Sequence, residues 1–232
     1  MSHAFFITGT DTEIGKTTIA AALLHAARAR GLSTAAVKPV ASGCEQTAEG
    51  LRNGDALALW QECTVPLSYQ EVNPFAFEPA IAPHLAAKEA NRVLNVAALV
   101  SNVQTVLARQ AALSVVEGAG GWRVPLAAGE TLADVAKALK LPVILVVGMR
   151  LGCINHALLT AEAIQRDGLS LAGWVANGVS PHVSRWADNL ATLHERLPAP
   201  CLGEVPYLAE GASAASVAAF LKLEMLCPFL RT

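Results

Sequence analysis

A fourteen-residue stretch, FFITGTDTEIGKTT (residues 5–18), constrains the rest of the chain more than any other feature. A short apolar run, Phe5-Phe6-Ile7, stops at Thr8-Gly9. A loop follows, and Gly15-Lys16-Thr17-Thr18 opens an alanine- and leucine-rich helical pattern. Strand, loop, Gly-Lys-Thr and helix in that order is the layout of a phosphate-binding loop. Backbone N–H groups at the helix start point at anionic oxygens, and the lysine adds positive charge beside them. The threonine hydroxyl is offered to a magnesium ion. The spacing departs from the usual template, because five residues rather than four separate Gly9 from Gly15. Asp11 and Glu13 also put negative charge into the loop, where they repel phosphate unless they serve a metal, a cap or a second substrate.

Composition narrows the partners. Of 232 residues, 53% are hydrophobic and 16% charged, enough for a sizeable core and too apolar for disorder. The net charge is −2 with no basic block, so a nucleic-acid role lacks its electrostatic footprint. Five cysteines are scattered without a C-x-x-C pair, which points to a reducing compartment. The first apolar run leads straight into the loop, unlike a signal peptide. The run from Val143 to Val147 is far too short to span a bilayer. A soluble cytoplasmic protein is expected.

Solid apolar runs at 4–8, 34–38, 113–117, 142–147, 169–176 and 201–206 read as strands. Helical patterns occupy 16–30, 55–62, 84–90, 95–112, 132–140, 154–167, 182–196 and 213–226. Residues 40–52 read as a loop, and 63–83, rich in proline, as an irregular wall or lid. Unbroken apolar strands alternating with helices predict an α/β fold. The expectation is one domain of doubly wound type over 1–232, a mainly parallel sheet with helices on both faces. Ligands of such sheets sit at the carboxyl ends of the strands.

The residues just after each strand are therefore the candidates. Glu117 ends an apolar strand, where a P-loop protein holds its metal with a carboxylate; the alternative is a carboxylate merely facing water. Asp55 starts a helix, as a metal ligand or as a simple cap. Thr17, Asp55 and Glu117 together suffice for magnesium, which keeps several of its waters. Lys38 is the first charge after the second strand. It either snorkels to solvent or neutralises charge developing in phosphoryl transfer. Gly152-Cys153-Ile154-Asn155-His156 opens a helix whose N–H groups can take a carboxylate. On spacing alone, a plain glycine turn with an Asn cap accounts for it, and Cys153 reads as a packed thiol.

Together these stretches resemble dethiobiotin synthetase, the ATP-dependent carboxylase that closes the ureido ring in biotin biosynthesis. The resemblance runs over GTDTEIGKTT (9–18), KPVASG (38–43), GLRNGDALAL (50–59), VNPFAFEPAIAPH (72–84), VEGAGGW (116–122), LPVILVVGMRLGCINHALLT (141–160), LAGWVANG (171–178) and GEVPYLAE (203–210). It implies a magnesium–ATP enzyme acting on carbon dioxide and 7,8-diaminononanoate, through a carbamate and a carbamic–phosphoric anhydride. It implies that Glu13, Ile14, Gly15, Lys16, Thr17 and Thr18 hold the nucleotide, with Asp55, Glu117, Gly118, Ala119 and Gly120. Lys16 would grip the phosphates, and Thr17, Asp55 and Glu117 the magnesium. Lys38 would stabilise the carbamate and the transferring phosphoryl group, with Lys16 as its catalytic partner. Asn177, Gly178, Pro206, Tyr207 and Leu208 would hold adenine, with Glu210 nearby. Thr12 and Glu13 would lie between nucleotide and diamine, and Ser42 would contact the diamine side. Gly152, Cys153 and Asn155 would bind the substrate carboxylate across a homodimer interface. Two positions depart from the pattern: Gly178, where the family often has Asp, and Ala82, where it often has Ser.

Two other readings are weighed against this one. A P-loop ATPase switch of the partitioning or cofactor-assembly kind often carries an extra lysine early in the loop, and residues 10–14 lack it. An amide-forming synthetase of the cobyrinate type brings a second domain for glutamine hydrolysis, which this chain does not carry.

Overall fold

The computed structural model describes residues 3–127, 129–208 and 212–226. In chain order the elements begin with β1 (His3–Gly9), α1 (Lys16–Arg28), β2 (Thr34–Val37), β3 (Val40–Ala41), β4 (Glu45–Thr47) and β5 (Gly50–Arg52). There follow α2 (Gly54–Gln61), α3 (Tyr69–Val72), β6 (Phe75–Ala76), α4 (Pro83–Glu89), α5 (Val96–Leu107), β7 (Leu113–Glu117) and α6 (Leu132–Leu139). The chain continues through β8 (Val143–Met149), α7 (Cys153–Arg166), β9 (Leu171–Gly178), α8 (Trp186–Arg196), β10 (Cys201–Val205), α9 (Ala214–Ala218) and a final turn of 3₁₀ helix, Leu223–Leu226.

Among the described residues the main sheet has six strands in the order β10-β9-β8-β1-β7-β2, and every neighbouring pair is parallel. The expected doubly wound α/β fold is therefore present. Alternate residues of each strand feed opposite cores, as the two-residue period of a strand requires. Phe5 and Ile7 of β1 pack with Ile19, Leu23 and Leu24 of α1, while Phe6 packs with Val103 of α5, Val135 of α6 and Ala157 of α7. The chain leaves β1 toward β2 on one side and leaves β8 toward β9 on the other. That reversal between adjacent β1 and β8 is the switch point where such sheets open a crevice.

Four expectations change. Residues 40–52 are not all loop: β3 pairs with β6, and β4 with β5 forms a small antiparallel hairpin. The hairpin carries Glu45, Gln46, Thr47 and Arg52 and buries no apolar face, so periodicity cannot reveal it. Within 63–83, Tyr69–Val72 is a helical turn closed by a reciprocal Ser68–Glu71 capping box. The 213–226 helix breaks after Ala218, because Leu221 bridges to Gly203 and the Lys222 N–H donates to Leu202 O at 2.7 Å. The 182–196 helix starts only at Trp186, with Arg185 before it in the left-handed region.

One contact ties the sheet to the loop after β1. The Ile14 side chain is buried and fills the space that side chains at Gly9 and Gly148 would occupy. A Cβ on Gly148 would lie 2.5 Å from Ile14 Cγ2 and 2.8 Å from its Cβ. Gly148→Ala is expected to destabilise the fold by about 1–3 kcal/mol, the usual cost of overpacking, and to weaken ATP binding because Ile14 must shift. Urea denaturation and ATP titration measure the two; an unchanged midpoint with unchanged affinity would refute the anchor.

Candidate active site

The loop after β1 is held from several sides. Thr10 N–H donates to Val146 O at 3.0 Å, and Gly148 N–H donates to Thr10 Oγ1 at 3.2 Å. Asn177 Nδ2 donates to Ile14 O at 2.8 Å and sits where a side chain on Gly15 would be. Gly15, at φ 84°, turns the chain into α1 with its N–H groups facing the crevice. The additional residue therefore has a structural use: Ile14 sends its side chain into the core and its carbonyl to Asn177. Asp11 does not face phosphate unpaired. Its carboxylate accepts from Thr12 N–H at 2.8 Å and pairs with Arg150, and the Thr12 bond first and then Arg150 hold its carboxyl below the ordinary range. Arg150 was not foreseen, since nothing in the sequence couples it to a loop 139 residues away.

Four side chains converge beside Lys16. β7 delivers Glu117 at zero exposure, β2 delivers Lys38 at 4%, α1 brings Thr17 and α2 brings Asp55. Lys38 Nζ donates to Glu117 Oε1 in a very short bond and to Asp55 Oδ2 at 2.9 Å. Thr17 Oγ1 donates to the same Glu117 oxygen at 2.8 Å. Burial pushes the Lys38 ammonium toward losing its proton, but Glu117 and Asp55 outweigh burial and hold it above the ordinary lysine value. Burial would raise the Asp55 carboxyl, and Lys38 reverses this. Lys38 is thus no solvent-seeking strand end. Asp55 does not cap α2 either; Asn53 does, its side chain accepting from Ala56 N–H at 3.2 Å.

Glu117 Oε2 is buried with no hydrogen-bond partner among the described residues. An orphaned carboxylate oxygen is costly unless something else satisfies it. With Thr17 Oγ1 and the half-exposed Asp55 carboxylate beside it, the donor set is the all-oxygen kind that suits magnesium. The residues present fit the metal that the sequence implies.

These groups line a cavity of about 730 Å³. The loop residues Thr12, Glu13, Gly15, Lys16, Thr17 and Thr18 form one wall, and Lys38, Asp55, Glu117, Ala119 and Gly120 the base. Ser42 faces it as well, with an Oγ that is buried and unpartnered among the described residues. Sequence reading missed Ala41, Asn53 and Val124 as lining residues, while Ala80, Ile81, Ala82 and Pro83 line the cavity from the end of the 63–83 stretch expected to form a wall or lid. Asn53 was findable, since Asn before Gly-Asp is a helix-cap signal next to a metal candidate.

Other candidates lie elsewhere. Ile14 is core, and Gly118 packs against Phe6 and does not line the cavity. Asn177 and Gly178 end β9 and meet the turn after β10. A Cβ on Gly178 would lie 2.8 Å from the Pro206 carbonyl carbon and 3.0 Å from Tyr207 Cα, which explains the absence of Asp there. Tyr207 is exposed and Leu208 half-buried; Glu210 lies outside the described residues. Gly152, at φ 93°, begins α7 without a side-chain cap, so Asn155 is not the cap. Cys153 is buried in the core and its N–H already donates to Arg150 O at 3.0 Å. None of these three lines the cavity of this chain. Ala82 precedes Pro83 at the start of α4, also without a side-chain cap. A serine there would serve as a helix cap as readily as a ligand.

Known proteins decide the family. A model described as an AAA domain matches residues 3–214. ATP-dependent dethiobiotin synthetase BioD of Pseudomonas paraeruginosa is 70% identical over 96% of this chain and 97% of its own length. The chain belongs to the dethiobiotin synthetase family. A second member, ATP-dependent dethiobiotin synthetase BioD 1 of Escherichia coli O157:H7, is 50% identical over 97% of this chain and all of its own. Among solved structures, a ParA family ATPase from Chlorobium tepidum is similar at TM-score 0.54 and 13% identity, covering 99% of this chain and 97% of that one. The signal recognition particle receptor FtsY of Elizabethkingia anophelis gives TM-score 0.51 at 14% identity, and this chain spans 65% of its length. At such identities these two likenesses establish the P-loop nucleotide-binding fold alone. Among the described residues no helix is long and apolar enough to cross a membrane.

Lys16 carries a pH dependence. Burial first, and then the neighbouring Lys38, pull its ammonium down to about 8, and its Nζ donates to Asp11 O at 2.7 Å. Phosphate binding favours the charged form, so nucleotide raises this value. Below about pH 8 the ammonium is already present and ATP affinity is expected to be flat. Above it, binding must take up a proton, and affinity falls toward the limit of about tenfold per pH unit. Calorimetry in buffers of different ionisation heat reads that proton; binding without proton uptake at about pH 9 would refute the assignment.

Proposed function

We propose that this chain catalyses the ATP-dependent carboxylation and ring closure of 7,8-diaminononanoate to dethiobiotin, forming two C–N bonds as a cyclo-ligase. The observation that carries the reading is Lys38, buried beside Glu117 at the foot of a cavity that also holds a phosphate loop and an unpartnered serine. One amine of the diamine adds to carbon dioxide and loses a proton, giving a carbamate. A carbamate oxygen displaces ADP from the γ-phosphorus, giving a carbamic–phosphoric anhydride. The second amine attacks its carbonyl carbon, and phosphate leaves with the C–O bond.

In this reading Lys16 grips the phosphates and Lys38 offset the negative charge that builds on the transferring group. Fixed charge in a water-poor site acts without reorganisation. Thr17, Asp55 and Glu117 would hold magnesium, which supplies positive charge to the phosphate oxygens. Gly15, Thr18, Ala119 and Gly120 line the nucleotide side. Thr12, Ser42 and Glu13 line the diamine side; the buried Ser42 Oγ has a free lone pair for an amine. Asn177 Nδ2 donates one hydrogen to Ile14 O and thereby fixes the carboxamide, whose oxygen would accept from an adenine amino group, with Pro206, Tyr207 and Leu208 against the ring.

We further propose that the chain is one catalytic domain acting as a cytoplasmic homodimer, with the Gly152–Asn155 helix start meeting the substrate carboxylate of its partner. Support comes from the exposure of Leu151, at 99% just before that helix, and of Leu159, at 56% along it. The cysteines Cys44, Cys63, Cys153 and Cys201 are free thiols, in keeping with a reducing compartment.

The decisive assay follows phosphate release from ATP while each co-substrate is withheld. Release is expected to require both the diamine and bicarbonate. Robust hydrolysis unaffected by the diamine would refute the reading and favour an ATPase switch.

A further inference from the structure

A second cluster of metal-ligating atoms lies outside the cavity, on the edge of the sheet. His194 stands in the last turn of α8, and Cys201 and Glu204 stand on β10. Residues three apart on a regular strand point to opposite faces. Here the register of β10 against β9 shifts between Cys201 and Gly203, and that irregularity puts Cys201 and Glu204 on one face. Leu202 and Val205 are carried together to the other face, into the α1 core. The Cys201 sulfur, a His194 ring nitrogen and a Glu204 oxygen all lie within 4.8 Å of one another, with His194 Nε2 3.5 Å from Glu204 Oε1. Donors on a tetrahedral zinc ion sit about 3.3–3.8 Å apart, given bond lengths of ~2.0–2.3 Å. The nitrogen–oxygen edge already matches, and the other two edges are no longer than 4.8 Å.

The imidazole is oriented as a ligand needs to be. Its ring meets buried Trp174 edge to face, with centroids 5.2 Å apart, and Trp174 is itself pinned by its Nε1 donating to Ala199 O at 3.2 Å. His194 and Glu204 are each a little under half exposed, so the site is open to an entering ion. Cys201 is half-buried, its thiol lying 3.3 Å from Gly203 O. Burial first, and then the nearby Glu204, push that thiol up.

We propose that His194, Cys201 and Glu204 form a binding site for a borderline-soft divalent cation of the zinc type, distinct from the magnesium ligands of the cavity. Nitrogen, sulfur and oxygen donors in one triangle select zinc or cobalt over magnesium, which takes oxygen. Binding forms the metal–sulfur bond and releases the thiol proton to solvent; no oxidant or reductant is involved. Three protein ligands leave the fourth position of a tetrahedral ion to water. The ion clasps the end of α8 to the edge strand that runs into the Pro206–Leu208 turn.

The test is a cobalt(II) titration of the metal-free full chain in excess magnesium, which occupies the oxygen-only site. One equivalent is expected to bind with a sulfur-to-cobalt charge-transfer band in the near ultraviolet, and zinc is expected to displace it. Cys201→Ser should abolish the band. Glu204→Gln, at an exposed position that leaves folding intact, should keep the band and weaken binding at least about tenfold, since outer-shell partners alone contribute that much at metal sites. Absence of the band, its survival in Cys201→Ser, or unchanged affinity in Glu204→Gln would each overturn the site.

Discussion

The pairing of Lys38 with Glu117 governs the rest of the architecture. Both side chains are buried at the carboxyl edge of a parallel sheet, one from β2 and one from the adjacent β7. Taking two charges out of water costs several kcal/mol for each ion, and their attraction returns it only when geometry and added hydrogen bonds are good. Thr17 and Asp55 provide those bonds. Such a pair is weak evidence for stability, and the fold could hold apolar residues there at less cost. In the proposed reaction its use is chemical: it presents a fixed ammonium, and a carboxylate with one oxygen unpartnered among the described residues, to the cavity lined by the loop after β1.

The sheet order explains why these residues meet. β1 lies between β7 and β8, so the phosphate loop, Glu117 and the loop carrying Arg150 emerge side by side. Arg150 neutralises Asp11, Gly148 leaves room for Ile14, and Asn177 fastens the Ile14 carbonyl. The loop is thereby shaped by three successive strands, and its rigidity comes from tertiary packing more than from its own sequence. In the proposed function a loop held in this way would meet phosphate with little reordering, which would limit the entropy cost of binding.

Much of this was legible in the sequence. Solid apolar runs followed by Gly-Lys-Thr, by Lys38-Pro39 and by Glu117-Gly118 told of a parallel sheet with chemistry at one edge, because buried parallel strands leave that signature. The convergence of Lys16, Thr17, Lys38, Asp55 and Glu117 follows from that topology. What stayed hidden depends on distance through space. The Asp11–Arg150 pair joins two loops with no shared pattern. The β4–β5 hairpin buries no apolar face, with Leu51 the one apolar side chain on its strands. The register shift in β10, which brings Cys201 beside Glu204, alters no residue type and so leaves no mark in the sequence.

In the proposed reaction Lys38 acts on the transition state while Lys16 holds the ground state. The most direct measurement compares turnover with ATP affinity in Lys38→Ala, in protein shown by thermal melting to remain cooperatively folded. A fixed charge of this kind is worth about 10²–10³ in rate. Turnover is therefore expected to fall by about that factor, with the ATP dissociation constant changed only a few-fold. An ATP affinity that falls by the same factor while turnover at saturation stays normal would contradict the account.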